Sequence, residues 1–176
     1  FATVIMSVGT AKTSWANIGP FVADDFPDDT AQMIWASSGT LTNAPSGTCY
    51  FRKDITVAST GLHRFYFLTD NEGDLYLDGQ LIASSKTFGQ TTESEAFEIS
   101  AGTHTIAIRG ENWVQASQNP AGLAWVLYTV NAADENVTLV DHSDATNLIV
   151  EYPPEAPGMT PGEALGLIVD EGIGAG

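Results

Sequence analysis

Cysteine, positive charge and long apolar runs are scarce in this chain, and each scarcity removes a class of protein. Cys49 is the one cysteine among 176 residues. An internal disulfide framework and a cysteine-based zinc knuckle are therefore excluded. Its neighbours Tyr50 and Phe51 mark a strand, and no base stands at a spacing that would activate it, so Cys49 reads as a buried structural thiol. Six basic residues face 22 acidic ones, for a formal charge of −16. Such a field repels phosphate backbones and anionic headgroups, which rules out nucleic acid and membrane surfaces as partners. The same charge suits a well-solvated particle component or carboxylates gathered for cations. No apolar run reaches the roughly 18 residues a membrane helix needs. No charged leader with an apolar stretch and a small-residue cleavage site follows Phe1, so the chain reads as a fragment or a processed product.

Catalytic signatures are missing too. There is no phosphate-cradling loop and no dinucleotide glycine fingerprint opening a helix. His63, His104 and His142 lie far apart on or beside strands, and no serine, aspartate and histidine form a recognisable triad. The expectation is a protein that is not an enzyme.

What the chain does have is 43% hydrophobic residues, enough for a real core. From Cys49 on, short runs rich in β-branched and aromatic residues alternate with Gly, Asn, Asp and Ser turns. Strands are predicted over Cys49–Val57, His63–Thr69, Asp74–Leu77, Gln80–Ser84, Glu95–Ile99, Gly102–Arg109 and Leu123–Val130. Leu75 and Leu77 share a face opposite Asp74 and Tyr76, and Ile106 and Ile108 one opposite Thr105, Ala107 and Arg109. Asp78-Gly79 between Leu77 and Gln80 is a strong hairpin signal, because a type I′ turn needs positive φ at both central residues. The stretch from Gly110 to Gly122 is 13 residues long, longer than most loops in compact domains, and long loops are where binding usually resides.

The flanks are less regular. Ala2–Val8 reads as a strand, Asp24–Thr30 as an acidic turn-rich loop and Gln32–Ala36 as an edge strand carrying Trp35. Asn131–Val140 and Asn147–Tyr152 read as two more strands, crossing back or docking to a neighbour. Three prolines between Tyr152 and Gly158 then form a semi-rigid linker. Thr160-Pro161-Gly162-Glu163 is a helix start, with Thr160 as N-cap and Glu163 completing a capping box. The predicted organisation is one all-β domain over residues 1–152, its core within 33–130, followed by a linker and a short helix over 153–176.

Three sets of residues invite ligand chemistry. Asp70, Glu72 and Asp74 alternate through a turn, a spacing that lets oxygens converge on a hard cation such as Ca2+. The same residues simply make a good turn, and position 81, where an EF-hand would need glutamate, is Leu81. Asp24, Asp25, Asp28 and Asp29 offer a second, weaker acidic set. Trp113, with Asn112, Gln115, Gln118 and Asn119, combines a flat aromatic face with planar amides, the equipment for stacking on a sugar ring and hydrogen-bonding its hydroxyls. The competing reading is that Trp113 caps the core. Trp35 and Trp125 sit among apolar neighbours and read as core, while Trp15 stays open.

Met33-Ile34-Trp35, Tyr50–Val57, Phe67–Gly79, Ser100–Ile108, Glu111-Asn112-Trp113 and Pro120–Leu123 together resemble, in order, the galactose-binding-domain-like jelly rolls. That resemblance, over about Met33 to Val130, implies an antiparallel β-sandwich and supports fold more than ligand. A second one covers Thr146–Glu163, which looks like the junction in minor tail proteins of phages that infect actinobacteria. It implies a virion component at the tail tip, with other tail proteins as partners, a homo-oligomeric assembly and a host-surface glycan as target. The sequence thus points to a non-enzymatic tail protein whose jelly roll serves assembly or attachment. The alternative is a carbohydrate-binding module of a secreted multidomain enzyme, with calcium holding a loop. A third reading is a trimeric capsid or fibre decoration protein.

Overall fold

The computed structural model describes residues 12–13, 15–17, 26–35, 43–87, 89–113 and 119–152. The strand expected at Ala2–Val8, and the linker and helix expected over 153–176, lie outside them. The described strands are β1 (Lys12–Thr13), β2 (Trp15–Asn17), β3 (Met33–Trp35), β4 (Gly47–Val57), β5 (Gly61–Asp70), β6 (Glu72–Leu77) and β7 (Gln80–Ser85). They continue with β8 (Thr92–Glu93), β9 (Phe97–Ile99), β10 (Gly102–Asn112), β11 (Gly122–Val130), β12 (Asn136–His142) and β13 (Leu148–Tyr152). One antiparallel sheet runs β1-β13-β4-β10-β6-β7 and the other β2-β3-β11-β5-β8, with β12 beside β11 and β9 beside β5. Both late strands thus belong to the sandwich itself.

Two long pairings set the frame. β4 and β10 run in unbroken register from Gly47↔Asn112 to Val57↔Gly102, and β5 pairs β11 from His63↔Thr129 to Asp70↔Gly122. Between them lie the largest fully buried side chains, among them Trp35, Phe51, Phe65, Phe67, Ile106, Ile108 and Trp125. The ring centroids of Trp35 and Phe51 are 5.6 Å apart, and those of Phe65 and Trp125 6.1 Å. Cys49 is buried within this core, and Leu75 and Leu77 enter it from β6. The hairpin closes as its sequence demands, with φ of 49° at Asp78 and 81° at Gly79.

Leu123 to Leu127 do not alternate because β11 is covered on both faces. Phe26, Ala31 and Met33 pack with Leu68, Ala124 and Val126 on the side away from the main core. The same cover corrects the edge-strand expectation for Trp35. β3 lies between β2 and β11, and all three of its residues are buried. The strand expected from Asn131 begins only at Asn136. Asn131 Oδ1 accepts from the backbone N–H of Ala133 (2.9 Å) and of Glu135 (3.0 Å), turning the chain before pairing resumes.

Gly110 shows how tightly the sheets close. A Cβ there would stand 2.8 Å from the Trp35 ring and 3.1 Å from Leu123. Neither neighbour has room to retreat. Gly110→Ala is expected to cost at least about 1 kcal/mol in urea unfolding, as overpacked cores do; unchanged stability would show that the sheets can part.

Candidate ligand site

At one pole of the sandwich the chain passes from β5 to β6 through Asn71, and β10 ends beneath Trp113. Asn71 ties these segments together. Its N–H donates to Glu111 O at 3.0 Å, and its Oδ1 accepts from the Trp113 N–H at 2.7 Å. Asn119 Nδ2 donates to Trp113 O at 2.9 Å. The Trp113 backbone is thus held on both sides, while the residue remains 47% exposed. It does not cap the core.

The amides expected to accompany it divide. Asn112 and Asn119 are only 2% and 7% exposed. Asn112 Nδ2 donates to Pro45 O at 3.0 Å and to Ala44 O at 3.3 Å, and Asn119 Nδ2 also reaches Ala44 O at 3.3 Å. Their amide N–H groups are used to fasten loops, so they position Trp113 and are not surface contacts for a ligand. Gln115 and Gln118 lie outside the described residues. Asn71, which lies between Asp70 and Glu72 in the turn read as a cation loop, is the missed member, and only its nearness to the end of a strand pointed to it.

The expected cation set does not assemble. Asp70 ends β5 in one sheet, whereas Glu72 and Asp74 belong to β6 in the other. What reads as one loop is the end of one strand and the beginning of another. Glu72 pairs with Lys86 Nζ at 3.3 Å, and Asp74 accepts from Ser84 Oγ at 2.6 Å with Arg109 3.7 Å away. Asp70 is buried, its Oδ2 has no hydrogen-bond partner, and burial pushes its carboxyl up to about 6. Among the described residues no three His, Cys, Asp or Glu side chains form a group able to hold a metal. In the other acidic segment, Asp24 and Asp25 lie outside the described residues and Asp29 is exposed. Asp28 is buried and accepts from Thr30 N–H at 2.9 Å and Thr30 Oγ1 at 2.6 Å, with His142 Nδ1 2.8 Å away. Burial works against its charge, but these bonds win and hold its carboxyl below the usual value.

The opposite pole carries a cleft of about 330 Å³ lined by Leu77, Asp78, Ile82, Phe97, Glu98 and His104, among others. His104 Nδ1 is 2.7 Å from Asp78 Oδ2 and Nε2 is 2.9 Å from Ser100 O. A neutral imidazole donates from one nitrogen only, so both bonds together require the imidazolium. The hydrogen bond with Asp78 accordingly raises the His104 pKa. The stability this clasp contributes is fully present below the ordinary histidine value of 6.5 and is lost as pH rises through the higher folded value. Thermal melts across that window are expected to show the loss in the wild type and not in His104→Gln. Parallel curves would remove the clasp.

No family model matches the sequence, and no curated protein matches it. Solved structures similar to it include a lectin from Pleurotus ostreatus in complex with GalNAc. The two overlay with a TM-score of 0.51 at 20% identity, over 70% of this chain and 34% of the lectin chain. A second is the α-L-rhamnosidase of Streptomyces avermitilis complexed with L-rhamnose, with a TM-score of 0.55 at 18% identity, over 87% of this chain and 15% of that one. The chain therefore spans well under two thirds of either relative. At these identities the likeness establishes the fold, an all-β sandwich of two antiparallel sheets.

Proposed function

We propose that this chain is a non-enzymatic carbohydrate-binding β-sandwich, with Trp113 as the platform on which a sugar ring stacks. One observation carries the reading: a tryptophan about half exposed, on a backbone fixed by side-chain hydrogen bonds at both its N–H and its C=O. An exposed indole held in place is costly for a monomer to keep and well suited to an apolar sugar face. Sandwiches of similar fold in a lectin bound to GalNAc and in a rhamnosidase bound to L-rhamnose support the same reading. They favour a module of a secreted carbohydrate-active protein over the virion component implied by Thr146–Glu163, most of which lies outside the described residues.

Printed glycan arrays that include GalNAc- and rhamnose-terminated ligands, followed by calorimetry on the strongest signals, test the proposal. Saturable binding to at least one glycan class is expected. A folded protein that binds none of them would sink it.

A further inference from the structure

The sandwich also encloses a group of reactive side chains far from Trp113. Lys53 lies on β4 with its side chain turned inward. Its Nζ donates to Asp141 Oδ1 at 2.7 Å, to His142 O at 2.8 Å and to Asp144 Oδ2 at 3.1 Å, and stands 5.6 Å from the centroid of the Trp125 ring. β13 pairs with β4 as Ile149↔Phe51 and Leu148↔Arg52. Continuing that register by one residue sets Asn147 against Lys53. Ile149 and Phe51 both point into the core, so Asn147 and Lys53, two residues along, share that interior side. Directly opposed residues have Cβ atoms roughly 4.5–5.5 Å apart.

Asn147 is fully buried, and its Nδ2 has no hydrogen-bond partner. Its Oδ1 accepts from the backbone N–H of Asp144 at 3.2 Å. Asp144 therefore touches both groups, the amine through its carboxylate and the amide carbonyl through its N–H. Closing the turn from Asp144 to Asn147 explains the carbonyl. It leaves the buried amide NH2 without a partner on the interior side that the register gives it in common with Lys53, which is expensive in a folded interior.

We propose that Lys53 and Asn147 form an intramolecular isopeptide bond, with Asp144 as proton carrier. The Lys53 ammonium passes a proton along its 3.1 Å hydrogen bond to the Asp144 carboxylate, an uphill step because the bonds to Asp144 favour its charged form. The neutral Nζ attacks Asn147 Cγ, and the Asp144 N–H supports the oxyanion that develops on Oδ1. The new C–N bond forms, the old C–Nδ2 bond breaks, and Nδ2 leaves as ammonia with protons from Nζ by way of Asp144. The products are a secondary amide and one ammonium ion. No oxidant, metal or cofactor takes part.

Intact mass under denaturing conditions reads the reaction directly. The wild-type chain is expected to be lighter than its sequence by one ammonia, and fragmentation of a proteolytic digest is expected to find the Lys53 and Asn147 peptides joined. Lys53→Arg is expected to restore the full mass. A wild-type chain at its full sequence mass overturns the proposal whatever the variant does. So does a deficit that persists in Lys53→Arg, which would place the lost ammonia in a succinimide elsewhere.

Discussion

Asp70→Asn is expected to gain about 2–3 kcal/mol on the wild type between low pH and pH 7, the free energy of moving a carboxyl from 3.8 to about 6 on folding. Asp70 is 4% exposed, and its Oδ2 has no hydrogen-bond partner. Burial without compensation penalises the charged form alone. The native state therefore holds this proton more tightly than the unfolded chain does. Stability contributed by the protonated group is present below 3.8 and is lost as pH rises through about 6. An asparagine fills the same volume with no charge to bury, and the cost of its amide at the unpartnered Oδ2 position does not vary with pH. Urea unfolding at pH 4 and pH 7 should show the variant gaining on the wild type as pH rises, with the difference levelling above the folded value. A difference that stays constant from pH 4 to pH 7 would mean the carboxylate is solvated after all. Asp28 and Asp144 slope the other way, because hydrogen bonds hold their carboxyls below the ordinary value against the pull of burial. The comparison with the wild type cancels both. A costly carboxylate next to Asn71, which anchors Trp113, is where stability is commonly exchanged for function.

Local signals carried most of the fold. Asp78-Gly79 dictates its turn through backbone geometry alone, and Leu75 and Leu77 reveal their buried face because side chains alternate along a strand. The contributions that came from afar were not legible. Nothing local to Met33-Ile34-Trp35 tells that β2 and β11 flank it, or that Phe26 and Ala31 lie over the neighbouring strand β11. The site was half visible for the same reason. Trp113 could be chosen from composition, an aromatic in a long polar loop. That Asn112 and Asn119 spend their amide N–H groups on Ala44 and Pro45 depends on contacts between residues at least 67 positions apart. The spacing of Asp70, Glu72 and Asp74 misled because alternation in a turn and alternation across a change of sheet look alike in sequence.

Trp113→Ala should separate binding from folding more sharply than any other substitution. Aromatic anchors at binding sites typically contribute about 2 kcal/mol or more when truncated, which is roughly a 30-fold loss of affinity. The side chain supplies the stacking face, and the rest of the residue is fixed by bonds to its main chain. Those bonds, from Trp113 N–H to Asn71 Oδ1 and from Asn119 Nδ2 to Trp113 O, do not need the indole. Trp113 belongs to neither of the two buried hydrophobic clusters, so truncating it leaves both intact. Affinity for the best glycan is therefore expected to fall at least 30-fold by calorimetry while the thermal midpoint stays within a degree or so. Asn71→Ala provides the complementary case. It keeps the indole but removes the acceptor for the Trp113 N–H, so both the affinity and the melting temperature should drop. If Trp113→Ala unfolds the protein, the indole is a structural cap; if it binds as tightly as the wild type, the sugar lies elsewhere, and the His104 cleft at the other pole becomes the next surface to test.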